Sequence, residues 1–72
     1  MSEILFEVRE SPEGGYEAHA LGASIFTQGE DLEQVRRNIL EAVECHYDEA
    51  DRPKWVRMLF LREEVFPLAA SA

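Results

Sequence analysis

Cysteine is almost absent. Cys45 stands alone among 72 residues, so no internal disulfide can form, which fits a reducing compartment. Basic residues are few. Seven Lys and Arg stand against fifteen Asp and Glu, a formal net charge of −8. Duplex nucleic acid is bound by clustered Lys and Arg against phosphate, so direct DNA binding is not expected. An acidic surface favours solubility and draws a basic partner. No apolar run approaches the roughly 20 residues of a membrane span. Met1-Ser2-Glu3 lacks the basic start and long apolar core of a signal peptide. The expected setting is cytoplasmic, with no membrane partner. No repeat, linker or domain boundary interrupts the chain, so residues 1–72 are read as one domain with a core over about 4–62 and a tail over 63–72.

What is present is a chain with 46% hydrophobic residues in periodic segments, which argues for folding rather than disorder. At this length only about 60% of the unfolded chain's surface is buried, so the core is thin and an oligomer would add to it.

The stretch from Thr27 to Tyr47 organises the rest. Gly29 gives the freedom for a turn, and Asp31 is a suitable N-cap, with Gln34 three residues on to complete a capping box. Leu32, Val35, Ile39, Val43 and His46 recur at spacings of three and four, with Ala42 and Tyr47 at the edges of the stripe. Glu33, Arg37 and Glu41 run down the opposite side. The pattern predicts a helix from about Asp31 to Tyr47 or Glu49, with one face laid on something apolar. Asp51-Arg52-Pro53 ends it.

Short strands supply that apolar surface. Residues 4–10, 16–21, 24–28 and 55–62 alternate with the period of a strand, and Ser11-Pro12-Glu13-Gly14-Gly15 and Gly22-Ala23 make the turns. The order is β-β-β-α-β, an α+β two-layer sandwich. The first three strands form an antiparallel meander, and a right-handed crossover sets the fourth beside the first and parallel to it. Ile4, Phe6, Val8, Tyr16, Ala18, Ala20, Val56, Met58 and Phe60 are assigned to the helix-covered face, joined by Ile25, although the phase of the third strand is ambiguous.

With one helix on one face, the other should read polar. Instead it carries Leu5, Leu21, Phe26, Trp55, Leu59 and Leu61 among Glu7, Arg9, Glu17, His19 and Arg57. Apolar residues clustered among charges mark a contact surface, and Leu5, Phe26, Trp55, Arg57, Leu59 and Leu61 are its expected members. A misread strand phase, or a tail folded back over the face, would also account for the pattern.

Chemistry is sparse. Glu7 and Glu17 share this face and could begin a two-metal nuclease site, but no further carboxylate is clearly placed beside them. Cys45 and His46 are helix neighbours pointing about 100° apart, poor zinc ligands with only His19 to add. Asn38, beside the apolar stripe, is expected to bond loop backbone near Gly22 or Gly29. Gly14-Gly15 precedes a strand, not a helix, and is no phosphate loop. No catalytic, metal or cofactor residues are assigned.

Gly14-Gly15-Tyr16-Glu17-Ala18, Leu21-Gly22, the run from Thr27 to Glu33 and Asn38-Ile39-Leu40-Glu41-Ala42 together resemble the N-terminal domain of HicB-type antitoxins, over roughly residues 4–62. The resemblance implies a partial ribonuclease-H-like fold and neutralisation, by occlusion, of a small basic HicA-type ribonuclease toxin. Two features depart from it. No helix-turn-helix or ribbon-helix-helix segment follows the domain, and Ala20 stands where a proline usually precedes Leu21-Gly22. The expected function is therefore a non-catalytic interaction domain, antitoxin-like, acting as a homodimer or higher oligomer. The alternatives are a homo-oligomeric structural domain with no toxin partner, and a metal-dependent nuclease.

Overall fold

The computed structural model describes residues 2–69. Five elements follow in the expected order: β1 (Glu3–Glu10), β2 (Tyr16–Leu21), β3 (Phe26–Gly29), α1 (Leu32–His46) and β4 (Trp55–Leu61). The sheet order is β3-β2-β1-β4, with the first three strands antiparallel and β4 parallel to β1. The predicted meander and crossover are therefore present, and the architecture is α+β.

Alternation along β1 sets the two faces. Ile4, Phe6 and Val8 are buried while Glu3, Leu5, Glu7 and Arg9 point the other way. Register carries this phase across the sheet, because Phe6 stands opposite Ala20 and Met58, and Val8 opposite Ala18 and Phe60. The core is Ile4, Phe6, Val8, Ala18 and Ile25 from the sheet side, with Val35, Ile39 and Val43 from the helix. These three helix residues are the middle of the predicted apolar stripe, whose first member, Leu32, is half-buried. Small Ala18 beneath them lets the helix come close.

The helix start is built by short polar contacts. Asp31 caps it, with Oδ1 accepting from the Gln34 amide at 2.8 Å. Gln34 does reach back, but its Oε1 accepts from the amide of Glu30 at 2.6 Å, one residue before the cap. The expected box is thus shifted by one position. Asp31→Ala should lower stability by about 1 kcal/mol; an unchanged urea midpoint would mean that the cap carries nothing. Gly29 lies under this turn, where an added Cβ would sit 2.9 Å from the Val35 amide nitrogen. Gly15, at φ +78, abuts the Gly29 carbonyl, which an added Cβ would meet at 2.5 Å. Hairpin loop, β3 and helix are thereby packed backbone to backbone. At the other end the Arg52 Nη2 donates to the carbonyls of Glu44 (3.3 Å) and Tyr47 (3.4 Å), satisfying acceptors that the last helical turn leaves open.

Several expectations change. β3 begins at Phe26 rather than Ser24. Ile25 precedes it and is buried, its carbonyl accepting from the Ala20 amide at 2.9 Å. His46, expected on the apolar stripe, is exposed on the last residue of α1, and its ring meets Tyr47 edge-on at 4.8 Å. Phe60 was expected beneath the helix but is 52% exposed. Val56 and Met58, on the same side of β4, stay half-buried against the core, so only the far end of this outermost strand is left open. The tail does not fold back over the sheet within the described residues: Val65, Phe66 and Leu68 are exposed. Residues 70–72 of the predicted tail lie outside the described residues.

Candidate interaction surface

The face of the sheet turned away from α1 can be laid out from the register. Leu5 stands opposite Leu21 on one side and Arg57 on the other. Phe26, His19, Glu7 and Leu59 form the next row, and Gln28, Glu17, Arg9 and Leu61 the one after. Trp55 lies opposite Glu3 at the end of β4. All six expected surface residues, Leu5, Phe26, Trp55, Arg57, Leu59 and Leu61, therefore share this one face.

Its apolar members are large and open to water. Trp55 is 71% exposed, Phe26 52%, Leu21 49% and Leu59 46%, while Leu5 and Leu61 are half-buried between neighbours. The Phe26 ring leans against His19 with centroids 4.6 Å apart. A single exposed leucine needs no explanation, but four large apolar side chains open to water on one face do.

The charges on the face are largely paired among themselves. Arg57 Nε and Nη2 donate to the two Glu3 carboxylate oxygens at 2.6 and 3.0 Å, a bidentate pair. Arg9 Nη2 donates to Glu7 Oε1 at 2.8 Å. Glu17, opposite Arg9, is the carboxylate left over. In a chain of formal charge −8 this face is thus nearly neutral, so two copies could approach through it without the repulsion that other faces would meet. The Glu3–Arg57 contact was not anticipated. The parallel β1–β4 register, which puts Glu3 one step diagonal to Arg57, is the signal that would have revealed it.

The hydrogen bonds from Arg57 hold the Glu3 carboxyl below its ordinary value; partial burial opposes this and the guanidinium charge adds to it. The same bonds, with the carboxylate charge, hold Arg57 above its own. A carboxyl depressed in the folded state stabilises the fold above its unfolded value and loses that contribution as pH falls through the folded one. The stability difference between the parent and Glu3→Gln should therefore shrink as pH drops from about 6 to about 2. Urea midpoints across that range check it; a difference that stays constant would mean the pair has no ionic component.

Among the described residues no group of three or more His, Cys, Asp or Glu side chains is placed to hold a metal ion. Glu7 is engaged by Arg9, and Glu17 sits one row away opposite that same arginine. Cys45 and His46 are exposed on the last turn of α1. Asn38 does what was expected of it: its Nδ2 donates to the Gln28 carbonyl at 2.7 Å, beside Gly29. No helix among the described residues is long and apolar enough to cross a membrane.

Comparison with known proteins corrects the family. The chain is 49% identical over 51 residues to a UPF0150 protein of Archaeoglobus fulgidus, covering 71% of this chain and 76% of that one. It is 43% identical over 61 residues to a UPF0150 protein of Thermotoga maritima, covering 85% and 86%. No family model matches the chain, and no solved structure matches it. The expected membership of the HicB-type antitoxins is overturned by these relatives. The antitoxin role and the HicA-type toxin partner rested on that resemblance alone and are withdrawn with it.

Proposed function

The chain belongs to the UPF0150 family, and we propose that it is a non-catalytic protein-interaction domain that works as a homo-oligomer in the cytoplasm, with the helix-free face of its sheet as the contact surface. The observation that carries this is the combination on that face of exposed Leu21, Phe26, Trp55 and Leu59 with the internally paired Glu3–Arg57 and Glu7–Arg9. Apolar area drives association, and charges already paired within one copy reduce the like-charge repulsion between copies. A two-fold arrangement lets one such patch cover itself. A small domain with a thin core gains stability by the same step.

The test is the association state of surface variants, measured by sedimentation. Phe26→Glu and Leu59→Glu lie at opposite sides of the sheet in one row, and both should weaken association. Glu33→Lys, on the exposed side of α1, should not. If neither sheet variant changes the species, the surface is not the contact. Cleavage of RNA in Mg²⁺ that Glu7→Gln abolishes would instead establish the nuclease alternative.

A further inference from the structure

A second apolar feature lies outside the face just described. β4 is a seven-residue strand, Trp-Val-Arg-Met-Leu-Phe-Leu, at the margin of the sheet. It is apolar on both sides. Trp55, Leu59 and Leu61 point away from the helix layer; Val56 and Met58 point toward it and are half-buried against the core, and Phe60, on the same side, is 52% exposed. Among the described residues its backbone has a partner on one side only. The Trp55 amide donates to the Ser2 carbonyl at 2.9 Å, on the β1 side. Alternate residues of a parallel strand turn their amides to opposite neighbours. The amides of Val56, Met58 and Phe60 therefore face outward along an edge that, among the described residues, no strand covers. Proteins normally blunt such an edge with charge, proline or a covering segment; β4 carries one charge, Arg57, which is tied to Glu3.

We infer that the outer edge of β4 is a self-pairing edge, joined antiparallel to β4 of a second copy across a two-fold axis to make one continuous sheet. Charge gives the direction and register. Lys54 immediately precedes the strand, and at the other end Arg62 is followed by the acidic pair Glu63 and Glu64. Antiparallel pairing centred on Leu59 sets Lys54 opposite the partner copy's Glu64 and Met58 opposite its Phe60, so opposite charges meet at both ends and apolar side chains meet between them. Parallel pairing would set like ends together. The segment beyond the strand fits the same arrangement. Residues 62–67 run on without regular structure, with Val65 97%, Phe66 75% and Leu68 100% exposed. The chain measures 60 × 24 × 17 Å, and an eight-residue strand spans only about 27 Å, so this arm extends well beyond the sheet. In the antiparallel register it passes the connection between α1 and β4 of the second copy, beside a cleft of 470 Å³ lined in part by Tyr47, Ala50, Pro53 and Lys54. Val65 and Phe66 would be covered there.

This pairing uses a different surface from the sheet face and stands or falls separately. Amide hydrogen exchange of the full chain at tens of micromolar reads it directly. The amides of Val56, Met58 and Phe60 should be protected to the same degree as those of Arg57 and Leu59, which bond to β1. Phe60→Pro removes an outward amide and no β1 bond. It should raise the dissociation constant on the order of tenfold or more, since two symmetry-related ladder bonds are lost. It should also return Val56 and Met58 to rapid exchange. Phe26→Glu, three strands away, should leave their protection intact. Rapid exchange of the three outward amides in the parent chain would overturn the pairing, whether the chain is then a monomer or an oligomer held by its sheet face. So would loss of their protection in Phe26→Glu.

Discussion

Phe6→Ala should cost about 3–5 kcal/mol, the range for truncating a fully buried aromatic side chain. Phe6 is fully buried on β1, between β2 and β4, with Ala20 and Met58 opposite it. Neither neighbour can fill the space it would leave. Alanine has no reach, and Met58 stands on a strand fixed by its register with β1. A domain of 72 residues has a total stability of about 4–11 kcal/mol at the usual 0.05–0.15 kcal/mol per residue. The substitution should therefore remove about a quarter or more of it and lower the thermal midpoint by more than about 12 °C. Circular dichroism at fixed protein concentration measures this, because association shifts apparent stability. A loss under about 1 kcal/mol would mean that the core is not organised around β1.

Phe26→Glu and Leu59→Glu should each raise the dissociation constant of the assembly by about 10² to 10⁴. Burying one such side chain is worth roughly 1.5–3 kcal/mol. A two-fold contact counts each substitution twice, and every 1.4 kcal/mol is tenfold. The pair is informative because the two residues sit on β3 and β4, at the two margins of the sheet. Pairing through the edge of β4 alone would respond to the second and ignore the first. Glu33→Lys makes a larger charge change on the exposed side of α1 and should leave association within about twofold.

Much of the fold was legible because period and register agree. The alternation of Ile4, Phe6 and Val8 with Leu5, Glu7 and Arg9 fixed the faces of β1, and β1 is the strand on which both β2 and β4 are registered. The stripe of Val35, Ile39 and Val43 set the helix face, and Asp31 set its start. The surface residues followed from the same alternation. What was not legible depends on where α1 lies in the plane of the sheet. Periodicity says which side of a strand points toward a helix and not whether the helix reaches it, so Phe60 was assigned to a covered position that α1 leaves open. The ion pair of Glu3 with Arg57 spans 54 residues of chain and exists only through strand register. The bonds from Arg52 to the helix end depend on the path of a loop. The family was the largest miss. Short runs of glycine, aromatic and helix residues resembled one group of proteins, while identity over most of the chain ties it to another.

Sedimentation equilibrium of the parent chain beside Phe26→Glu, at tens of micromolar and physiological salt, tests the central claim most directly. The parent should have a mass above the 8.3 kDa of one chain, and Phe26→Glu should shift to a smaller species while keeping its circular dichroism spectrum. A parent of 8.3 kDa throughout that range, or an identical mass for the two proteins, would contradict the assignment of the helix-free sheet face as the contact surface.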